Sequence, residues 1–243
     1  MFNLTEFESQ KLQQIKGMAG DKSLYKQALD LIIDSDKHGY AYLQTWLGMP
    51  IIQLPEDIIN TQEMFWTDQP DVVLATGIAW GGSIVLYASL MELAGKGNVV
   101  AVDRILPAHI KKAIMKFPFS HRIHLIEGDS VDSKVINEVK SKICPSDKVS
   151  VFLDSDHTHD HVLAELRAYG EMVTKGQHLT VYATRIEEMP YSKHRPRPWG
   201  RGNNPMTALK LYLSENDRFI IDRNYSERTL ISFAPDGHIK CVK

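Results

Sequence analysis

A glycine-rich turn between two apolar strands, in the segment from Asp71 to Asp103, constrains the fold of this chain most strongly. The segment DVVLATGIAWGGSIVLYASLMELAGKGNVVAVD predicts a strand, a turn, a helix and a second strand that ends on an acidic residue. Gly77, Gly81 and Gly82 let the backbone approach a ligand that any Cβ would obstruct. Asp103 follows the last of them by roughly twenty residues, where a carboxylate can accept hydrogen bonds from ribose hydroxyls. The pattern is typical of a site for a nucleotide cofactor.

Strands and helices continue to alternate after this segment. The predicted elements are HRIHLI, VDSKVINEVKSKI, KVSVFLD, THDHVLAELRAYGEMV (with Gly176 as its stop), QHLTVYAT and PMTALKLYLSEN. Two further strands, RFIIDR and RTLISFAP, are joined by the short turn NYSE, and strands so closely joined must be antiparallel. We therefore predict a doubly wound, Rossmann-like α/β sheet, mostly parallel with a C-terminal antiparallel hairpin. This arrangement resembles the sheet of class I methyltransferases.

Length and composition indicate a single domain. The 243 residues are 43% hydrophobic, which is enough to bury a substantial core. We expect residues 71–243 to form the Rossmann-like core and residues 1–70 a helical N-terminal appendage. The aromatic side chains of Tyr40, Tyr42 and Trp46 are expected to pack against the core. The appendage also makes a homo-oligomer plausible, although core packing explains it equally well.

Charge and cysteine content narrow the choice of partners. A formal net charge of −2 provides no field that favours nucleic acid or an anionic membrane. Cys144 and Cys241 show no metal-type spacing and are expected to be reduced. The start, MFNLTEFESQKLQQIK, lacks an apolar signal region, and no run of the chain approaches the roughly eighteen apolar residues of a membrane span. We expect a cytoplasmic protein without a polyanionic partner.

Polar residues follow several of the predicted strands, at the edge where doubly wound sheets bind ligands. Asp103 is a candidate for the cofactor ribose, and the alternative is an ordinary acid that begins a turn. Asp129 and Ser130 follow HRIHLI. They are candidates for cofactor contact, for capping the next helix, or for both.

The segment FLDSDHTHDH places three aspartates and three histidines directly after a buried strand. Asp154 is expected to ligate a hard cation, and His157 to take a proton from a substrate hydroxyl. For His159, Asp160 and His161 we favour solvated positions at the start of a helix.

Further oxygen ligands for a cation are expected after the next strand, where the sequence reads VYATRIEEMP. Alanine and threonine occupy the positions from which an acid would reach Asp154. Glu187 and Glu188 come a few residues later and are expected either to supply an oxygen or to lie in solvent. The following loop, HRPRPWGRGNNP, carries Arg195, Arg197 and Arg201 around Trp199, and we interpret it as a lid over the substrate, with a solvated surface loop as the alternative.

Five segments together resemble one known family. They span nearly the whole chain after residue 40, and they are WLGMPIIQLPEDI (46–58), TGIAWGGS (76–83), LIEGDSVD (125–132), LDSDHTHDHVLAEL (153–166) and RPWGRGNNPMTAL (197–209). In this order they resemble the cephalosporin hydroxylase and rhamnosyl O-methyltransferase family.

The resemblance implies a class I fold that binds S-adenosylmethionine (SAM) at the glycine-rich turn, with a divalent metal, often Mg²⁺, beside the transferring methyl group. Similar proteins put a methyl group on a hydroxyl oxygen in surface-glycan (polysaccharide) or secondary-metabolite pathways. By position, the cofactor site comprises Ala75, Thr76, Gly77, Gly81, Gly82, Ser83, Asp103, Arg104, Asp129, Ser130 and Asp154. Asp154 is the first metal ligand, and His157 is the candidate base.

Four positions depart from the pattern of the family. Relatives commonly have Glu where Ala75 stands, Asp where Ala183 stands, Asn in place of Asp156 and Lys in place of Met206. A charged hydrogen bond is worth roughly 1.5 to 3 kcal/mol, so Ala75 is expected to weaken cofactor affinity about ten- to a hundredfold. The alanine at 183 removes an expected metal ligand, and Asp156 or Glu187 is the candidate to replace it.

The sequence therefore predicts a SAM-dependent O-methyltransferase that acts on a sugar or small metabolite with the help of a divalent metal. One alternative is a metal-independent enzyme that relies on His157 alone. Another is a catalytically weakened SAM-binding relative that serves as a partner subunit, which Ala75 and Ala183 would permit. Oxygenase chemistry is poorly supported, because the sequence has no clear triad of two histidines and one carboxylate at recognisable spacing.

Overall fold

The N-terminal part of the chain is helical, as its apolar spacing predicts. The structure, a computed structural model, describes residues 3–243. Its first elements are α1 (Leu4–Ala19), α2 (Lys22–Asp36), a small antiparallel hairpin of β1 (Thr45–Trp46) and β2 (Met49–Pro50), and α3 (Pro55–Asp68). Within the described chain α1 has no buried side chain, whereas α3 contributes Met64 and Phe65 to the core.

Seven strands form one sheet with helices on both faces. The strands are β3 (Val72–Thr76), β4 (Asn98–Asp103), β5 (Ile123–Glu127), β6 (Val149–Leu153), β7 (His178–Val181), β8 (Phe219–Ile221) and β9 (His238–Cys241). The helices are α4 (Gly82–Leu93), α5 (Ala108–Ile114), α6 (Ser133–Lys140), α7 (His159–Gly170), α8 (Pro205–Glu215) and α9 (Arg223–Glu227). The order across the sheet is β5-β4-β3-β6-β7-β9-β8, with β9 antiparallel to both of its neighbours. The predicted doubly wound, mostly parallel sheet is confirmed.

Both faces of the sheet are buried, which explains the near-continuous apolar runs of its central strands. Ala75 and Phe152 face α3 and α4, where the Phe152 ring stacks 4.7 Å from the ring of Tyr87. Leu74 and Val151 face the opposite side, with α7 and α8. Among residues 3–243, no helix combines the length and apolar character needed to cross a bilayer.

The C-terminal antiparallel pair is present, but its second strand is not the predicted one. The predicted strand RTLISFAP (228–235) lies between α9 and β9, and the predicted turn NYSE lies inside α9. The reason is a buried carboxylate on α3. Asp57 accepts hydrogen bonds from the Ser232 hydroxyl (2.6 Å) and the Phe233 N–H (2.9 Å), so α3 replaces a neighbouring strand as the partner of this segment.

Helix α7 ends at Gly170 and not at Gly176. The guanidinium of Arg218 donates to the carbonyl of Gly170 (3.0 Å), the last residue of the helix, and to that of Val173 (2.8 Å), shortly after it. Gly176 instead forms the turn before β7, with φ of +88°.

A buried ionic cluster joins α3 to the amino end of β7. His178 Nδ1 lies 2.5 Å from the Asp68 carboxylate, and its Nε2 lies 3.1 Å from that of Asp222. Burial acts to lower the pKa of His178, but the hydrogen bonds with Asp222 and Asp68 outweigh it and raise that pKa. The imidazolium therefore stabilises the contact between these elements.

We expect the stability that His178 contributes to be fully present below about pH 6.5, the ordinary pKa of histidine, and to be lost as pH rises through its raised pKa in the folded protein. Replacing a buried ion-pair partner costs about 3 to 5 kcal/mol, so His178→Gln should lower the free energy of unfolding by that order at pH 6 and by less at pH 9. Urea denaturation at several pH values measures the difference. His124→Gln, at an exposed position, is the control. A difference between wild type and His178→Gln that does not change with pH would contradict the assignment.

Candidate functional site

The site lies where the strand order reverses, between β3 and β6. Residues Thr76 and Leu153 are paired in register, so the two strands end side by side. A Cβ on Gly77 would lie 2.1 Å from the carbonyl oxygen of Asp154. Glycine therefore permits the two strand ends to touch, with φ of +89° at this position. Crevices at such switch points are the ligand sites of doubly wound sheets.

The two later glycines of the turn are crowded by the chain itself. A Cβ on Gly82 would lie 2.3 Å from the carbonyl oxygen of Pro50, and one on Gly81 would lie 2.8 Å from the side chain of Ile114. These glycines therefore allow β2 and α5 to pack against the turn. Ser83 lies in the first turn of α4 and is half-buried.

Asp103, the candidate ribose ligand, supports the glycine-rich turn. Its Oδ2 accepts from the N–H groups of Ile78 (2.7 Å) and Ala79 (3.0 Å), and its Oδ1 accepts from the N–H of Ile105 (3.2 Å). A carboxylate has about four lone-pair sites, so these bonds leave Asp103 able to accept one more.

The polar residues after β5 have different surroundings. The Asp129 carboxylate pairs with the exposed guanidinium of Arg104 at 3.3 Å and accepts from the N–H of Val131 at 3.2 Å. Ser130 is buried, and its hydroxyl donates to Glu165 Oε1 at 2.6 Å. The predicted cofactor residue Ser130 thus uses its hydroxyl to contact α7.

Asp154 has the most available carboxylate of the crevice. Its side chain is 29% exposed and accepts no hydrogen bond from the described residues. The nearest charged partner is Nε2 of His157, 4.0 Å from Oδ1. Burial, together with the carboxylates of Asp57 and Glu165, raises the pKa of Asp154.

His157 lies beside Asp154 with its ring against the lid loop. Its ring centroid is 4.9 Å from that of Trp199, in an edge-to-face arrangement. Burial lowers the pKa of His157 to about 4, against the opposing effect of Asp156 and Glu165. The imidazole is therefore neutral near neutral pH.

The other two candidate metal ligands, Asp156 and Glu187, have carboxylates that accept hydrogen bonds from other residues of the protein. Asp156 Oδ1 accepts from the N–H (2.8 Å) and the hydroxyl (2.6 Å) of Thr158, just before α7. Partial burial acts to raise the pKa of Asp156, but the bonds from Thr158 hold it below its ordinary value. Glu187 Oε2 accepts from the Gly202 N–H (2.9 Å) and the Asn204 amide (2.5 Å).

The three candidate metal ligands are therefore not brought together. Within residues 3–243, no group of three or more His, Cys, Asp or Glu side chains is arranged to hold a metal ion. Mg²⁺ is commonly bound by one or two carboxylates and several waters. The donor set fits a cation held by Asp154 and water, and it does not fit one held by three protein carboxylates.

The two alanines that replace expected acids lie in different backbone conformations. Ala75 is buried inside β3. Ala183 follows β7 in the left-handed region, with φ of +60° and ψ of 19°. Asp and Asn adopt this region more readily than Ala. Thr76 follows Ala75 in the chain, and its buried hydroxyl has no hydrogen-bond partner among the described residues.

The predicted lid is fixed at both ends and lies beside His157. Arg195 forms an ion pair with Asp36 on α2. Arg201 Nε donates to the carbonyl of Glu187 at 3.2 Å. Between these two points the Arg197 guanidinium lies 5.4 Å from the centre of the Trp199 ring.

Two residues near the site were not singled out by the sequence analysis. Gln53 is buried, and neither polar atom of its amide makes a hydrogen bond of good geometry. The amide still lies close enough to the Tyr87 phenol to oppose the rise in pKa that burial causes there. A single glutamine inside the apolar run IIQL was the available signal. Glu165 is completely buried, and the signal there was the four-residue spacing of His161, Glu165 and Tyr169 on one helix.

Comparison with known proteins gives a consistent result. The family model described as Rhamnosyl O-methyltransferase/CmcI matches residues 38–242. Rhamnosyl O-methyltransferase of Mycobacterium tuberculosis is 28% identical over 173 residues, which cover 70% of this chain and 66% of that protein. The chain thus matches slightly less than two thirds of that relative's length.

Solved structures share the fold. A CmcI apo-structure has a TM-score of 0.58 at 17% identity, over 83% of this chain and 77% of that one. A CmcI structure with Mg and SAM has a TM-score of 0.57 at 17% identity, over 83% and 78% of the two chains.

The contact between Gly77 and Asp154 can be tested against a second glycine of the same conformation. Gly176 has φ of +88° but open space where a Cβ would lie. Gly176→Ala should therefore cost only the left-handed strain, about 1 to 2 kcal/mol. Gly77→Ala should cost clearly more, because the new methyl group overlaps the Asp154 carbonyl. Denaturant unfolding of the two variants measures the difference, and equal costs would contradict the close approach.

Proposed function

Because the chain belongs to the Rhamnosyl O-methyltransferase/CmcI family, we propose that it transfers a methyl group from SAM to a hydroxyl oxygen of a sugar or a small metabolite. The observation that carries the proposal is the crevice between β3 and β6. There a glycine turn supported by Asp103 meets the free carboxylate of Asp154 and the neutral imidazole of His157.

Different residues of the crevice are assigned to the two reactants, SAM and the acceptor. Asp103 retains a lone pair for a ribose hydroxyl, and the Arg104–Asp129 pair borders the same side. His157 and Asp154 face the acceptor on the other side, and the Trp199 loop limits access of water. SAM supplies the methyl group as a sulfonium, whose carbon–sulfur bond breaks as the acceptor oxygen bonds to the methyl carbon, leaving a neutral thioether.

His157 is the proposed general base. In the tautomer that leaves Nε2 unprotonated, this nitrogen takes the proton of the acceptor hydroxyl. The Asp154 carboxylate, 4.0 Å away, then stabilises the imidazolium. A divalent cation held by Asp154, with water and acceptor oxygens as its other ligands, would lower the pKa of the same hydroxyl.

We also propose the cytoplasm as the place of action. The two free cysteines, exposed Cys144 and buried Cys241, support a reducing compartment.

Calorimetric titration with SAM tests the function directly. We expect wild type to bind SAM, and Asp103→Asn to bind it about tenfold or more weakly, since one charged hydrogen bond is worth about 1.5 to 3 kcal/mol. Asp132→Asn, at the exposed cap of α6, is the control. Failure of wild type to bind SAM, with and without Mg²⁺, would refute the proposal. If methyl transfer to a rhamnoside continues in the presence of a chelator, only the proposed role of the cation is refuted.

The aspartate that relatives commonly have at position 183 can be introduced here by mutation. Ala183→Asp places a carboxylate on the strand end next to Asp154, while Ala183→Asn fits the same left-handed backbone without charge. We expect Ala183→Asp to bind Mg²⁺ at least about tenfold more tightly than Ala183→Asn, because one added ligand is a large share of a sparse site. Calorimetric titration with MgCl₂ measures both. Equal affinities would show that residue 183 does not face the cation.

A further inference from the structure

One face of α7 carries polar side chains where a helix against a sheet normally carries apolar ones. His161, Glu165 and Tyr169 are spaced by four residues and so lie in one stripe. The stripe faces the turn after β5, where the Tyr169 hydroxyl donates to the Ser130 carbonyl at 2.9 Å. Glu165, in the middle of the stripe, has no solvent exposure.

A single oxygen of Glu165 joins two turns of the crevice. Oε1 accepts from the hydroxyl of Ser130 at 2.6 Å and from that of Ser155 at 2.7 Å. His161 Nε2 lies 3.4 Å from the same oxygen and 3.1 Å from the Ser130 hydroxyl. The other oxygen, Oε2, is buried and has no hydrogen-bond partner among the described residues.

The buried carboxylate of Glu165 is not an effective means of stabilising the fold. A buried carboxylate loses its hydration, and an oxygen without a partner leaves part of that loss uncompensated. Well-packed apolar residues of similar volume are commonly as stabilising as buried ionic groups. Departures of this kind from good packing are expected at functional sites.

The two turns that Glu165 joins carry residues of opposite sides of the crevice. Ser130 adjoins Asp129, which pairs with Arg104 on the cofactor side. Ser155 adjoins Asp154, whose carbonyl packs against Gly77. The bonds to one carboxylate oxygen therefore fix the spacing between these two sides.

We infer that Glu165 is a positioning residue, which sets the distance between the cofactor-side turn at Ser130 and the acceptor-side turn at Ser155. The inference rests on the proposed function. Glu165 itself touches neither reactant and acts through the two serines.

Four substitutions separate the two connections. Ser130→Ala should raise the dissociation constant of SAM by a larger factor than it lowers kcat, whereas Ser155→Ala should lower kcat by a larger factor than it weakens SAM binding. Glu165→Gln keeps the volume but weakens both bonds, so it should change both quantities, and Glu165→Ala should change them more. A displacement of about 1 Å in a reacting group can cost a hundredfold in rate, so we expect a loss of kcat of about ten- to a hundredfold for Glu165→Gln.

Hydrogen exchange provides a readout that does not require activity. In Glu165→Gln the amides of residues 128–131 and 154–156 should both exchange faster, whereas each serine variant should affect one turn. Asp68→Asn is the matched control. It also weakens a buried carboxylate contact, but that contact lies at the amino end of β7, away from the crevice at the carboxyl ends of the strands.

The outcomes distinguish the inference from the function on which it rests. If wild type binds SAM, and Glu165→Gln loses stability as Asp68→Asn does without a change in SAM affinity, kcat or exchange at the two turns, Glu165 has only a structural role and the inference is wrong. If wild type binds no SAM, the proposed function fails and the inference fails with it. Coupled changes at both turns, absent from Asp68→Asn, would support it.

Discussion

The close approach of β3 and β6 at their carboxyl ends is the constraint on which the rest of the site depends. The two strands are parallel neighbours, and their connections leave the sheet in opposite directions. A crevice must therefore open above them. The absence of a Cβ at Gly77 allows the glycine turn to rest directly on the Asp154 carbonyl. Asp154 consequently lies beside the glycine-rich turn and not at a separate position on the sheet edge.

Local sequence pattern was sufficient to predict the parallel core. Strands β3, β4, β6 and β7 are buried on both faces, so each has an apolar run bounded by turn residues, and the pattern carries that information within a few positions. The second antiparallel strand was misplaced because RTLISFAP has the composition of a strand while its polar groups bind Asp57, about 175 residues earlier in the chain. Strand β9 reads HIKC, and its alternation of polar and apolar residues over four positions gives a weaker signal than the longer apolar run of RTLISFAP.

The sequence predicts which residues follow the parallel strands, but not which hydrogen bonds those residues make. Asp103, Ser130, Asp154 and Glu187 were expected at one edge of the sheet, because every parallel strand ends there. Which of their polar atoms remain free depends on residues that are distant in sequence. Ser130 bonds a glutamate on α7, and Glu187 holds residues of the lid loop, and both partners are distant in sequence. Only Asp154 is left with a carboxylate that no described residue hydrogen-bonds.

The backbone of Ala183 is held in a left-handed conformation by its neighbours in the fold. Its left-handed backbone disfavours alanine, yet the surrounding contacts hold it in place. The next residue, Thr184, donates its hydroxyl to the carbonyl of Pro235 at 2.7 Å, and the N–H of Arg185 donates to the carbonyl of Phe233 at 3.3 Å. Such strain persists where neighbouring structure over-determines a conformation. The C-terminal segment, and not residue 183 itself, therefore sets the backbone at this strand end. A change of side chain at residue 183 is therefore expected to leave the path of the chain unchanged.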